Sequence, residues 1–260
     1  MGEPRLLKPH VTNLPGGLQV RRLLPAAACR SVGPFIFFDH FGPVELPAEL
    51  DSDIGPHPHI GLATVTYLFE GELLHRDSLG TEQAIAPGAI NWMSAGSGIV
   101  HSERTPRSLR GQARRLHGLQ LWAALPPDDE TSSPSFQHAP ADSLPQLQPA
   151  PGVHLRLLVG QAFGLASPVR TRSETLYLDL RLDPGTRWAL PPLAPELALY
   201  PVTDGLLLDG QPLPAHELVE VVRENEMPPA PYLLIHGNAR LTTAERETLI
   251  AALEAVALAR

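Results

Sequence analysis

"GPHPHIG", residues 55–61, sets two histidines one residue apart, with one proline before the first and another between them. In an extended strand, side chains two apart leave the same face, so His57 and His59 point together while Pro58 points away. Pro58 has no N–H to give to a ladder, which places the segment on an edge strand or at a bulge. The prolines also restrict the backbone and reduce the entropy lost when an ion orders the two imidazoles. Forty-two residues after His59, the stretch "GSGIVHSE" (96–103) repeats the spacing, with His101 and Glu103 on one strand face and Val100 and Ser102 on the other. Three imidazoles and a carboxylate with no thiolate suit iron, manganese, nickel, copper or zinc; calcium and magnesium prefer shells made of oxygen.

Working outward, glycine and proline punctuate the chain at short intervals. Thr64–Phe69, Ala89–Met93, Leu116–Trp122, Val153–Val159 and Leu176–Leu182 are rich in β-branched and aromatic residues between turn signals. Many short strands at this spacing predict an all-β sandwich or barrel. Residues 125–152, rich in Pro, Ser, Asp and Gln, read as a linker between a domain over 1–124 and a second over 153–260. A helix is expected only at about 241–259, where Thr242 and Glu245 form a capping box and Leu249, Ile250, Leu253 and Val256 make an apolar stripe. The halves share a weak register around Tyr67 and Tyr200, but the positions matching His57 and His59 are Leu190 and Pro192, so the second half carries no metal pair.

Composition narrows the function. A hydrophobic fraction of 43% without long charged tracts describes a folded protein. Cys29 is the only cysteine, so no intramolecular disulfide and no thiolate cluster can form. The N-terminus has no apolar segment of signal-peptide length and no run approaches a membrane span, so a cytoplasmic protein without membrane contact is expected. A net charge of −8 disfavours direct nucleic-acid binding, and arginines 104, 107, 110, 114 and 115, with no interleaved aromatics, read as a solvated loop. His40, His75, His117, His138, His154, His216 and His236 are read as hydrogen-bonded core or surface residues. Trp92, Phe38 and Leu62 are pocket candidates, although strand aromatics more often fill the core.

The sequence resembles the pirin family of the cupin superfamily. The resemblance is carried by "FFDHFGP" (37–43), "PHPHIG" (56–61), "TVTYLFEG" (64–71), "HRDSLG" (75–80), "APGAINWMSAGSGIVHSE" (86–103) and "LHGLQLW" (116–122), with a weaker match at "LDLRLDPG" (178–185). It implies a bicupin of two antiparallel, jelly-roll-like β-barrels, with one divalent transition metal, iron first among the candidates, in the N-terminal barrel. His57, His59, His101 and Glu103 are then its ligands. The general cupin glutamate position falls at Ala63 or Thr64, so Glu103 supplies the carboxylate. Four protein ligands on an ion that accepts six leave room for substrate or dioxygen. Some pirin-like proteins oxidise flavonols, which implies quercetin 2,3-dioxygenase chemistry on a small aromatic substrate with O2. Glu103 takes the proton of the 3-hydroxyl, and carbon monoxide is released. Pirins have also been cast as metal- and redox-sensing regulators that bind a protein partner without turnover. One departure stands beside the site: where pirins commonly carry His-Arg-Gly-Phe-Glu, this chain has His59-Ile60-Gly61-Leu62-Ala63, which predicts a more apolar mouth.

Overall fold

The computed structural model describes residues 5–14 and 17–221. The expected helix near 241–259 lies outside them. The chain opens with β1 (Arg5–Leu7), β2 (His10–Asn13), β3 (Gln19–Leu24), β4 (Phe35–Leu46) and β5 (Ile54–His59). It continues through β6 (Leu62–Glu70), β7 (Leu73–Asp77), β8 (Glu82–Ile85), β9 (Ile90–Ser94), β10 (Ile99–Arg104) and β11 (Arg114–Ala124). Next come β12 (Ser135–Ala139), β13 (Gln146–Ala150), β14 (Val153–Val159), β15 (Gln161–Ala162) and β16 (Leu165–Ala166). The last described strands are β17 (Tyr177–Leu182), β18 (Leu197–Leu199), β19 (Leu206–Leu208), β20 (Gln211–Leu213) and β21 (Leu218–Val221). All five runs expected to be extended fall on strands, with ends that differ by at most two residues. Helical structure among the described residues is confined to short 3-10 turns such as Arg107–Leu109 and Pro127–Asp129. No helix there is long and apolar enough to cross a membrane.

Two antiparallel sheets make the first half. Seven strands run in the order β12-β9-β6-β11-β4-β3-β2, and four run β5-β10-β7-β8. Neither closes on itself among the described residues; the first half is built of two sheets that face each other, with Thr66 of one reaching Glu103 of the other. At one open edge, Pro56 and Pro58 of β5 offer no N–H for a further ladder. Residues 125–152 carry β12, which extends the seven-stranded sheet, and β13, which pairs with β14 of the second half. β1 crosses over to pair with β21, whose other neighbour is β18.

The central strands β6 and β11 are buried on both faces, which is why "LATVTYLFE" reads as a nearly continuous apolar run. Ala63, Val65, Tyr67, Leu119 and Leu121 join Leu158, Val159 and Val169 of the second half in the largest core. Each such aliphatic side chain withdrawn from water contributes about 1.5–3 kcal/mol. Thr64, Thr66, Gln120 and Trp122 alternate with these residues and leave from the opposite face. Tyr67 also ties the halves together by donating its hydroxyl to Asp179 Oδ2 at 2.6 Å.

A second tie is a buried histidine pair. His40 Nε2 and His117 Nε2 lie 2.8 Å apart, His40 Nδ1 meets the Tyr200 hydroxyl at 2.6 Å, and the His216 ring packs with its centroid 5.0 Å from that of His40. One proton serves the nitrogen pair, so one ring donates and the other accepts. Burial, reinforced by His117, His216 and Arg21, pushes His40 down to about 3. Burial also lowers His117, against the opposing pull of Glu70, and His216, against that of Asp204.

In the unfolded chain these histidines titrate near about 6.5. Below that pH the unfolded state binds more protons than the native one. The stability the cluster contributes is therefore full above about pH 6.5 and falls as pH drops toward about 3, by up to about 1.4 kcal/mol per pH unit per histidine. Urea unfolding of the wild type between pH 7.5 and 5 should show this loss, and His40→Phe should flatten the slope by about one proton. An unchanged slope would remove His40 from the account. Close packing makes a separate demand at Gly118, where a Cβ would meet Leu68 Cδ2 at 2.6 Å, Phe41 Cζ at 2.6 Å and the Tyr67 carbonyl at 2.7 Å. Gly118→Ala is expected to lower unfolding stability by about 1–3 kcal/mol, read from denaturation midpoints.

Candidate metal centre

β10 is the organising strand. It pairs with β5 on one side, placing His101 opposite His57 and Ile99 opposite His59, and with β7 on the other, placing His101 opposite Asp77 and Glu103 opposite His75. β5 is the edge strand that its prolines predict. Gly61, at φ 69°, takes the left-handed conformation that turns the chain from β5 into β6, and its N–H donates to the Gly96 carbonyl at 2.9 Å. This bond holds the end of the first histidine pair against the turn that leads into the second.

The sequence pairs converge as follows. The candidate ligand atoms of His57, His59 and His101 all lie within 4.8 Å of one another, with His57 half-buried and the other two buried. Their ring centroids are 4.4 to 5.0 Å apart. Glu103 is not part of that tight group. A β-bulge falls between His101 and Glu103, and the Glu103 carboxylate sits deeper, between the sheets. There Thr66 Oγ1 on β6 donates toward Gln120 Oε1 at 2.8 Å and Glu103 Oε1 at 3.3 Å. Burial pushes the Glu103 carboxyl up, against the opposing pull of His57 and the Thr66 hydroxyl.

Hydrogen bonds set the proton positions on the rings. His57 Nδ1 lies 2.9 Å from the Gly55 carbonyl, so Nδ1 carries the hydrogen and Nε2 is left as an acceptor. Behind His101 runs a relay. His75 Nε2 donates to Asp77 Oδ2 at 2.9 Å, which leaves His75 Nδ1 as the acceptor for His101 Nδ1–H at 3.4 Å. Asp77 is fixed in turn by the N–H groups of Leu79 and Thr81, at 2.9 and 3.0 Å. His101 Nε2 therefore holds a lone pair, and it is buried with no hydrogen-bond partner among the described residues. Burial, with His57, His59 and His75 adding to it, pushes His101 down to about 2; burial followed by His57 lowers His59 to about 4. Near neutral pH both rings are uncharged and able to coordinate. Buried polar atoms almost always find a partner, so an orphaned imidazole nitrogen facing two other imidazoles fits a cation.

Sequence reasoning missed His75 and Asp77, although His75-x-Asp77 has the same two-residue spacing as the two recognised pairs. Of the aromatics weighed between pocket and core, Trp92 and Phe38 take the core place that strand aromatics more often fill. Trp92 and Phe38 belong to the core shared with the second half. Trp122 instead packs edge-on to His59 with centroids 5.0 Å apart and stacks on Phe37 at 4.0 Å. Beside His59 opens a cleft of about 390 Å³ whose wall includes Pro58, Ile60, Ile99 and Val100. Ile60 is 68% exposed.

A family model described as Pirin matches residues 17–123, and one described as a haem-binding domain matches residues 209–255, most of which lie outside the described residues. The C-x-x-C-H haem-attachment pattern does not occur in this chain, whose one cysteine is Cys29. A pirin-like protein of Caulobacter vibrioides is 46% identical over 202 residues, covering 76% of this chain and 69% of that protein. Several other curated relatives are spanned for 54% to 62% of their length. The crystal structure of a quercetin 2,3-dioxygenase from Acinetobacter baumannii is similar at TM-score 0.76 and 35% identity, over 84% of this chain and 71% of that one. A bacterial pirin from Escherichia coli, solved in complex with nickel(II), shares the fold at TM-score 0.52 and 16% identity, over 85% of this chain and 91% of that one. The family model spans both histidine pairs, and the Caulobacter relative is 46% identical over three quarters of this chain and more than two thirds of its own length; on that ground the chain belongs to the pirin family.

Proposed function

We propose that this protein is a metal-dependent dioxygenase of the quercetin 2,3-dioxygenase type, acting on flavonols, with His57, His59, His101 and Glu103 holding one divalent transition ion, iron first among the candidates. The observation that carries the reading is the buried, partnerless Nε2 of His101 within a group of three imidazoles. The second half, whose strand β14 pairs with β13 and β17, is read as a second cupin lobe without a metal. An ion at the centre would supply Lewis acidity toward a phenolic oxygen and reactivity toward dioxygen.

The chain's own groups supply the rest. Glu103 is placed to take a proton from a phenolic hydroxyl, whose acidity an ion at the centre would raise. Thr66 and Gln120 fix its position. The stacked Trp122 and Phe37 offer a flat apolar wall for an aromatic substrate and keep water from one side of the centre. The Asp77–His75 relay orients His101. The named activity of the Acinetobacter relative supports the substrate class.

Turnover separates this reading from a metal- or redox-sensing regulator that binds a protein partner. The purified protein, loaded in turn with iron, manganese, nickel and copper, is mixed with quercetin under air and under nitrogen while the flavonol absorbance is followed. Loss that requires oxygen and disappears in His101→Ala is the expected result; flavonols untouched by every metal form would overturn it. A companion measurement addresses the relay. His75→Phe preserves the ring stacked on Phe136 at 4.3 Å but removes the Nδ1 acceptor. It should weaken metal affinity by about 10–100-fold in competition with a chromophoric chelator. Unaltered affinity would show that His101 needs no such support.

A further inference from the structure

We propose that the outer face of the four-stranded sheet carries a binding site for a small dianionic oxyanion, in a cleft where Arg76, Arg104, Arg107 and Arg110 converge. The cleft encloses about 310 Å³ and is completed by Asp53, Leu74 and Thr105. It lies outside the candidate metal centre. Along β10, Ser102 and Arg104 alternate with His101 and Glu103; along β7, Arg76 stands between His75 and Asp77. The register pairs Ser102 with Arg76 and Arg104 with Leu74, so both guanidinium groups rise from the face opposite the histidines. Arg107 stands on the 3-10 turn Arg107–Leu109 that follows β10, and Arg110 comes directly after it.

The charges in this cleft are unevenly matched. Arg110 is bound by Asp51 and by Asp53, the latter at 2.6 Å, and Arg76 pairs with Glu82 at 2.9 Å. Asp53 is further occupied by the Thr105 N–H at 2.8 Å, so it frames the cleft and holds Arg110 in place. Arg104 donates its Nε to Ser102 Oγ at 3.3 Å, and neither Arg104 nor Arg107 forms an ion pair among the described residues. The Nε of Arg76 is buried with no hydrogen-bond acceptor. Two guanidinium groups outside any ion pair among the described residues, Arg104 sharing the field of Asp53 with Arg110, and a buried orphan donor around one cleft, in a chain of net charge −8, describe a local anion trap. Guanidinium forks match the paired oxygens of phosphate or carboxylate, and several of them select for a doubly charged group. Phosphoryl and dicarboxylate compounds share this chemistry.

The site needs no metal and is independent of the dioxygenase reading. The full chain, metal-free and in low-salt zwitterionic buffer, is titrated calorimetrically with inorganic phosphate and, separately, with succinate. One saturable site that weakens as sodium chloride is added is expected, and the anion that saturates names the source. Arg107→Gln changes an exposed side chain without a partner and leaves the fold intact by circular dichroism. It and Arg104→Gln should each weaken binding by about tenfold, as loss of a charge-assisted contact demands. Arg30→Gln, an exposed arginine elsewhere, should bind like the wild type. Failure of both anions to saturate, or equal binding by all three variants and the wild type, would overturn the proposal.

Discussion

The two-residue alternation of β10, locked by antiparallel partners on both sides, is the constraint on which the rest of the molecule depends. Because β5 and β7 both pair with it, its register cannot slip without breaking two ladders. A one-residue slip would turn His101 and Glu103 outward and bring Ser102 and Arg104 inward. The same strand therefore presents a different set of side chains on each face. Its inner face meets His57, His59 and the carboxyl-supporting Thr66, and its outer face builds the arginine cleft.

Between the sheets, polar groups are tolerated because each has a defined place in a hydrogen-bond chain. His75, His101 and Asp77 are satisfied in series, as are Glu103, Thr66 and Gln120. Beside these chains, His101 Nε2 is buried without a hydrogen-bond partner among the described residues. The pair formed by His40 and His117 shows the contrasting case of buried histidines facing each other and a tyrosine, where the nitrogens serve to join the two halves. Identical side chains thus differ in whether a partner reaches the second nitrogen.

Residue order made much of this legible. Period-two spacing in "HPH" and "HSE" announced convergent side chains, the prolines announced an edge strand, and β-branched runs announced the strands themselves. The tight cluster of His57, His59 and His101 follows from local spacing plus one long-range pairing. The depth of Glu103 did not, because a bulge between it and His101 is decided by how β10 fits β5, and no local signal marks it. The choice of Trp122 and Phe37 over Trp92 and Phe38 was equally hidden. All four lie on strands buried on both faces, where hydrophobicity cannot distinguish inside from the far side.

By itself the sequence determined the strand-rich character of the described residues and two same-face polar pairs, which are properties of local periodicity, and its motifs showed the resemblance of the first half to the pirin family. Only the tertiary structure decided that the first-half sheets face each other without closing, that residues 125–152 belong to the sheets on either side of them, and that His75 and Asp77 stand behind His101. Those outcomes rest on which strands pair across long sequence separations, and pairing is fixed by burial and hydrogen bonding summed over the whole fold.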